Sequence, residues 1–228
     1  DGTIPVTMDQ MIFHSDAVRR GASNTFIIGD MPFGSYQTDA KDAVLNAMRF
    51  YKEARVDAVK LEGGVRVVPR IKAIVEAGIN VMGHIGLTPQ SSGQMGGFKA
   101  QGRTAENAIL VIEDALAVEK AGAFSLLVEA VPSEVAEIIA KMLKIPVLGI
   151  GAGPLCDGQL LLDIDLLGKS TVFTPKFVKD YARQAIKRIA FENWGDVREL
   201  NLARITLRAF QEYVKEVKAG FFPDKEQH

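Results

Sequence analysis

Five apolar runs in this chain each end in a polar or glycine-rich turn, and stretches of helical periodicity separate them. Thr25-Phe26-Ile27-Ile28-Gly29 delivers Asp30, and Ala58-Val59 leads into Lys60-Leu61-Glu62-Gly63-Gly64. Ile79 through Gly83 delivers His84, Ser125 through Val128 delivers Glu129, and Pro146 through Ile150 opens into Gly151-Ala152-Gly153. Short apolar runs read as buried strands. Alternation of such strands with helices predicts a parallel sheet with helical crossovers. In a βα barrel the active site lies where strands end and loops begin. Three carboxylates, a lysine and a histidine then converge on one rim.

The intervening helices have readable ends. Residues 38–54 open on Thr38 or Asp39 and repeat Ala43, Ala47, Phe50 and Ala54 at helical spacing. Residues 65–77 carry Pro69 near the first turn and stop at Gly78. Thr104 caps a helix that closes at Gly122, and Ser133 caps one running through Lys144. A sixth apolar run, 159–167, predicts a sixth strand. Residues 176–219 read as helical, with Phe210, Tyr213, Val214 and Val217 as an apolar stripe. Strand ends are about 20–35 residues apart except for the 45 between 84 and 129. The excess is Gly86 through Arg103, a glycine-rich loop that reads as a mobile active-site element or a simple surface insertion.

The chain has 228 residues, enough for one large α/β domain. With 27 basic and 28 acidic residues it shows no basic excess, which disfavours nucleic acid as a partner. The one cysteine, Cys156, has no internal partner for a disulfide, and a reducing, cytoplasmic location is expected. No apolar run reaches the roughly 18 residues that span a bilayer, and no signal peptide is visible. The chain begins without Met, in what reads as loop, as a processed or partial chain would.

Each polar residue at a strand end has two readings. Asp30 is a ligand for a divalent cation or a turn carboxylate. Lys60 and Glu62 are two apart, hence on one face of a strand; they fit an anion held beside a metal, or an internal ion pair. Two hard oxygen ligands without a His–Cys cluster favour Mg²⁺ over Zn²⁺. His84 is a site residue or a satisfied core histidine. Glu129, in apolar surroundings, is a base with a raised pKa or one half of a helix-end pair. Gly149, Gly151 and Gly153 miss the dinucleotide-loop spacing, which points to close packing against a ligand. His14, Arg19 and Arg20 read as a solvated helix face.

Longer motifs go further. Gly83-His84-Ile85-Gly86-Leu87-Thr88-Pro89-Gln90, Gly96 through Arg103, Val59 through Gly64, Gly149 through Gly153 with Asp157-Gly158-Gln159, and Phe222 through Glu226 resemble the ketopantoate hydroxymethyltransferase family. Pro5 through Asp9 and His14 through Arg20 also fit. The resemblance covers residues 1–181 and about 206–228. It implies a (β/α)8 barrel of the phosphoenolpyruvate mutase and isocitrate lyase type over 1–228, with a C-terminal helical extension at 176–228. It implies hydroxymethyl transfer from 5,10-methylenetetrahydrofolate to α-ketoisovalerate in pantothenate biosynthesis. By motif, Asp30 and Glu62 bind Mg²⁺, Asp30 and Lys60 contact the 2-oxo acid, Glu129 takes the C3 proton and His84 sits near the substrate. The resemblance also implies large rings, usually homodecamers.

Two departures accompany the resemblance. The family pattern has two strands ahead of residue 1, the second ending in an Asp-Ser pair that supplies a further metal ligand and a substrate contact. Residues of about 183–205, with Trp194-Gly195-Asp196, read as an insertion that could serve an oligomer contact. The alternatives are a metal-dependent 2-oxo acid lyase or mutase of the same superfamily, or an inactive truncated barrel. Lyases and mutases carry a catalytic cysteine in the loop that here follows His84 without one. Retention of Asp30, Lys60, Glu62 and Glu129 together argues against the inactive form.

Overall fold

The computed structural model describes residues 2–192, 200–224 and 227. In chain order the elements are α1 (Met8–Gly21), β1 (Ile28–Asp30), α2 (Ala40–Glu53), β2 (Ala58–Glu62), α3 (Val68–Glu76), β3 (Asn80–Gly86) and α4 (Ala105–Lys120). Then follow β4 (Ser125–Glu129), α5 (Ser133–Met142), β5 (Val147–Ile150), β6 (Gly158–Gln159), α6 (Asp163–Leu166), α7 (Tyr181–Glu192) and α8 (Leu202–Lys218). The six strands form one sheet in sequential order, every neighbouring pair parallel. Helices cross over between the first five strands, and the sheet is a parallel half-barrel.

Register divides each strand between two environments. Ala58 pairs with Asn80, Lys60 with Met82 and Glu62 with His84. The odd-numbered Val59, Leu61, Val81 and Ile85 join the main core, together with Val111, Ala115 and Val118 of α4 and Ala43, Ala47 and Phe50 of α2. The opposite face carries Met82, Leu127 and Ile150, with Ile28 and Leu148 beside them. A buried parallel strand thus reads as continuously apolar until its last residues, because both faces are covered.

The helix starts follow capping chemistry. Asp39 accepts a hydrogen bond from the Asp42 amide at 2.8 Å, and Thr104 accepts one from the Asn107 amide at 3.3 Å. Asp39→Ala should cost about 1 kcal/mol by urea unfolding; an unchanged midpoint would mean that packing alone holds α2. Ser133, expected as a cap, is instead the first residue of α5, behind an extended Pro132, and makes no capping bond. The stretch 65–77 splits into a 3-10 turn over Val65–Val67 and α3, with Pro69 in the first turn.

Four further expectations are corrected. The run 159–167 is not a strand: pairing stops at Gln159, and Asp163–Leu166 is one helical turn, with the Leu166 amide donating to Leu162 O at 2.9 Å. An apolar run does not distinguish a strand from a buried helix, and Asp163 and Asp165 suit a helix N-terminus. On α8 the covered stripe is Ile205, Ala209, Tyr213 and Val217, whereas Phe210 and Val214 are exposed. Arg19 is not solvated; it pairs with Asp57 and donates to Arg55 O at 2.9 Å and Thr25 O at 3.2 Å. His14 and Arg20 are exposed as expected. The 149–153 glycines meet protein, since a Cβ on Gly151 would lie 2.5 Å from Phe177 Cδ1, and one on Gly153 2.3 Å from Ser133 Cβ.

A second cluster, Leu166, Tyr181, Ala185, Ala209 and Phe222, packs α6, α7 and α8 together. Tyr213 Oη donates to Gln159 O at 2.8 Å and ties α8 to β6. Residues 183–192 of the expected insertion belong to α7, while Trp194-Gly195-Asp196 lies outside the described residues.

Candidate active site

The polar residues gather at the C-terminal ends of β1 to β4. Asp30 pairs in register with Lys60, Glu62 with His84, and Gly86 with Glu129. Because side chains alternate along a strand, these registers turn all five polar groups to the same face.

Lys60 is the hub. Its Nζ lies 2.8 Å from Asp30 Oδ1, 3.3 Å from His84 Nδ1 and 3.8 Å from Glu62 Oε1. His84 Nδ1 is also 3.7 Å from Glu62 Oε1. An ammonium has only donors, so His84 Nδ1 accepts from Lys60 and the imidazole proton sits on Nε2. Nε2 lies 3.1 Å from Glu129 Oε2, without hydrogen-bond alignment.

Burial sets the charge states. His84 is 2% exposed, and desolvation, then the Lys60 ammonium, holds its pKa well below 6.5. It is neutral at pH 7. Glu62 is pushed above the ordinary carboxylate value by burial, against the pull of Lys60 and the Gln90 amide. Glu129 is pushed up to about 7, again chiefly by burial, with Lys60 opposing. A carboxyl poised near neutrality takes and releases a proton readily.

Two residues without an expected role complete the rim. The Gln90 amide donates to Glu62 Oε2 at 2.9 Å, and Tyr36 Oη donates to Gln90 Oε1 at 2.8 Å. Gln90 stands in a 3-10 turn, Pro89–Ser91, within the long loop after β3. Arg66 holds that loop through Gln94 at 2.7 Å and Ser91 at 2.8 Å. Thr88-Pro89-Gln90 was visible in the sequence as a motif, but no periodicity marks Tyr36.

Among the described residues no group of three or more His, Cys, Asp and Glu is placed to hold a metal ion. The rim nevertheless suits a positive charge. Asp30 Oδ1 is buried and ion-paired with Lys60 without hydrogen-bond alignment, and with Glu62 Oε1 it flanks that ammonium. Mg²⁺ needs no closed protein cage, since it is commonly held by one or two carboxylates, waters and substrate oxygens. Asp30 and Glu62 fit that donor set.

A parallel α/β half-barrel with an acid–base cluster at its strand ends belongs to an enzyme acting on a small molecule. The chain belongs to the ketopantoate hydroxymethyltransferase family, a family of transferases whose sequence model matches residues 1–225. The match runs through 183–205. A 3-methyl-2-oxobutanoate hydroxymethyltransferase of Alkaliphilus metalliredigens is 62% identical over 97% of this chain and 72% of its own length. Its counterpart from Desulfotalea psychrophila is 50% identical over 99% of this chain and 75% of its own. Among solved structures, a Burkholderia cenocepacia protein described as a lyase/mutase superposes with a TM-score of 0.50 at 18% identity, covering 90% of this chain and 76% of that one. That likeness concerns the fold alone. No described helix is long and apolar enough to cross a membrane.

Proposed function

We propose that this chain transfers a hydroxymethyl group from 5,10-methylenetetrahydrofolate to 3-methyl-2-oxobutanoate (α-ketoisovalerate), giving ketopantoate. The observation that carries this reading is Glu129, half-buried and poised near pH 7, beside neutral His84 and across from the Asp30–Lys60 pair. The relatives' names supply the substrate. A divalent cation, Mg²⁺ in this reading, would be held by Asp30 and Glu62 and would supply Lewis-acid polarisation of the 2-oxo group.

The residues divide the remaining work. Lys60 pairs with the carboxylate of the 2-oxo acid and orients it. Glu129 accepts the C3 proton, and His84 keeps its Nε2 proton beside Glu129. The C3 carbon and a water oxygen then bond to the bridging one-carbon unit as both of its bonds to folate nitrogen break. The two nitrogens take up two protons, one equivalent to that removed from C3 and one from the water, which leaves its hydroxyl on the product. Low local dielectric strengthens each charge interaction at the rim.

The same reading includes a single (β/α)8 barrel of which the six strands form part, a cytoplasmic location and a homodecamer. Exposed Phe13, Leu45, Tyr51, Ile109 and Leu110 offer apolar surface between copies. A monomeric sedimentation coefficient would remove the decamer. The central test is NMR of C3 deuterium exchange into α-ketoisovalerate, in D₂O with Mg²⁺ and no folate. Metal-dependent washout of the C3 proton is expected. Its absence in folded, metal-supplemented protein would sink the proposal.

A further inference from the structure

Strand β1 ends at Asp30, whereas its neighbour β2 runs to Glu62. The last residue of β2 therefore has no strand opposite on that side. Tyr36 takes the vacant place. Its ring is 1% exposed, and its Oη accepts from the Glu62 amide at 3.1 Å while donating to Gln90 Oε1 at 2.8 Å. Gln90, 7% exposed, donates through Nε2 to Met31 O at 2.9 Å, the first carbonyl past β1. Its own amide donates to Glu62 Oε2 at 2.9 Å. Gln37 Nε2 adds a contact to Gln90 Oε1 at 3.3 Å, and Gln37 Oε1 accepts from the Gly34 amide at 2.7 Å.

The consequence is an asymmetric carboxylate. Glu62 Oε2 is tied to backbone, and Oε1 is turned toward Lys60 and His84. In this network the loops after β1 and after β3 meet through Met31, Tyr36, Gln37 and Gln90, so Glu62 registers the placement of both.

We propose that Tyr36 and Gln90 are positioning residues that hold Glu62 as a one-oxygen ligand, leaving Oε1 for a divalent cation and tying cation affinity to the placement of the two loops. The proposal rests on the cation reading of the site given above. Buried polar groups in such a network must be satisfied together, so losing one hydroxyl releases several partners. Tyr36→Phe leaves the Glu62 amide without its acceptor and Gln90 Oε1 without its best donor, at nearly constant volume. Outer partners that orient a ligand commonly govern metal affinity by 10-fold or more.

The test is Mn²⁺ binding followed by electron paramagnetic resonance on the full chain, with no folate present. Three variants are compared. Tyr36→Phe and Gln90→Met cut the network. Asn46→Ala removes only the Asn46 Nδ2 donation to Ser35 O at 2.7 Å, which braces the same loop without touching Glu62. The expected result is about a 10-fold rise in the Mn²⁺ dissociation constant for Tyr36→Phe and Gln90→Met, and no change for Asn46→Ala. Folding is checked by near-ultraviolet circular dichroism; Tyr36→Phe keeps the ring in the core, and Gln90→Met stands as an independent second cut. Unaltered affinity in Tyr36→Phe and Gln90→Met, or an equal loss in Asn46→Ala, overturns the positioning role while leaving the cation site standing. No Mn²⁺ binding by the unsubstituted chain overturns the cation reading itself and this role with it.

Discussion

Glu129→Gln should lower the rate of C3 proton exchange from α-ketoisovalerate by about 10³-fold while leaving binding of the 2-oxo acid nearly intact. Gln keeps the size of the side chain but takes no proton at neutral pH. The same substitution has a second, opposite effect. The Glu129 carboxyl has a pKa of about 7 in the fold against an ordinary 4.5. Below about pH 4.5 it is neutral in both the folded and the unfolded chain, and it contributes no pH dependence. Between about 4.5 and 7 the unfolded chain releases the proton while the folded one retains it, so stability falls as pH rises. Above about 7 the full cost remains, about 3 kcal/mol. Chemical unfolding in the presence of a chelator should therefore show Glu129→Gln more stable than the unsubstituted chain at pH 8, with the difference gone at pH 4. A variant no more stable at pH 8 would mean that Glu129 is not held in a desolvated place. Full exchange activity would remove it as the base.

Lys60→Ala should raise the KM for the 2-oxo acid roughly 10- to 100-fold, the worth of a charge-assisted contact. A second readout separates loss of binding from general damage. Lys60 is the largest influence holding the Glu129 pKa down against burial. Without it the acid limb of the exchange–pH profile should move to higher pH. Without its ammonium, Asp30 and Glu62 also face each other unscreened. An unchanged KM would end the proposed substrate contact, and an unshifted acid limb would mean that Lys60 and Glu129 do not sense each other.

All five rim residues were legible in the chain for one reason. Each is a polar residue at the end of an apolar run, and strand ends are where a parallel α/β fold places its chemistry. The capping residues Asp39 and Thr104 were legible because capping is a matter of neighbours three residues apart. The misreadings share the opposite cause. Arg19 looks solvated on its own helix and is largely covered because Asp57 and Thr25 meet it there. The run 159–167 looks like a strand because apolar composition carries no hydrogen-bonding direction. Tyr36 carries no local signal, since its partners are 26 and 54 residues away.

The alternation of apolar strands with amphipathic helices, and the residue type at each strand end, were thus settled by the chain's own pattern. Tertiary structure decided the rest: the registers that turn Asp30, Lys60, Glu62, His84 and Glu129 to one face, the desolvation that raises Glu129 and neutralises His84, and the Tyr36–Gln90 clamp on Glu62. The physical reason is range. Periodicity and capping act over a few residues, whereas charge state and orientation depend on which distant groups exclude water together.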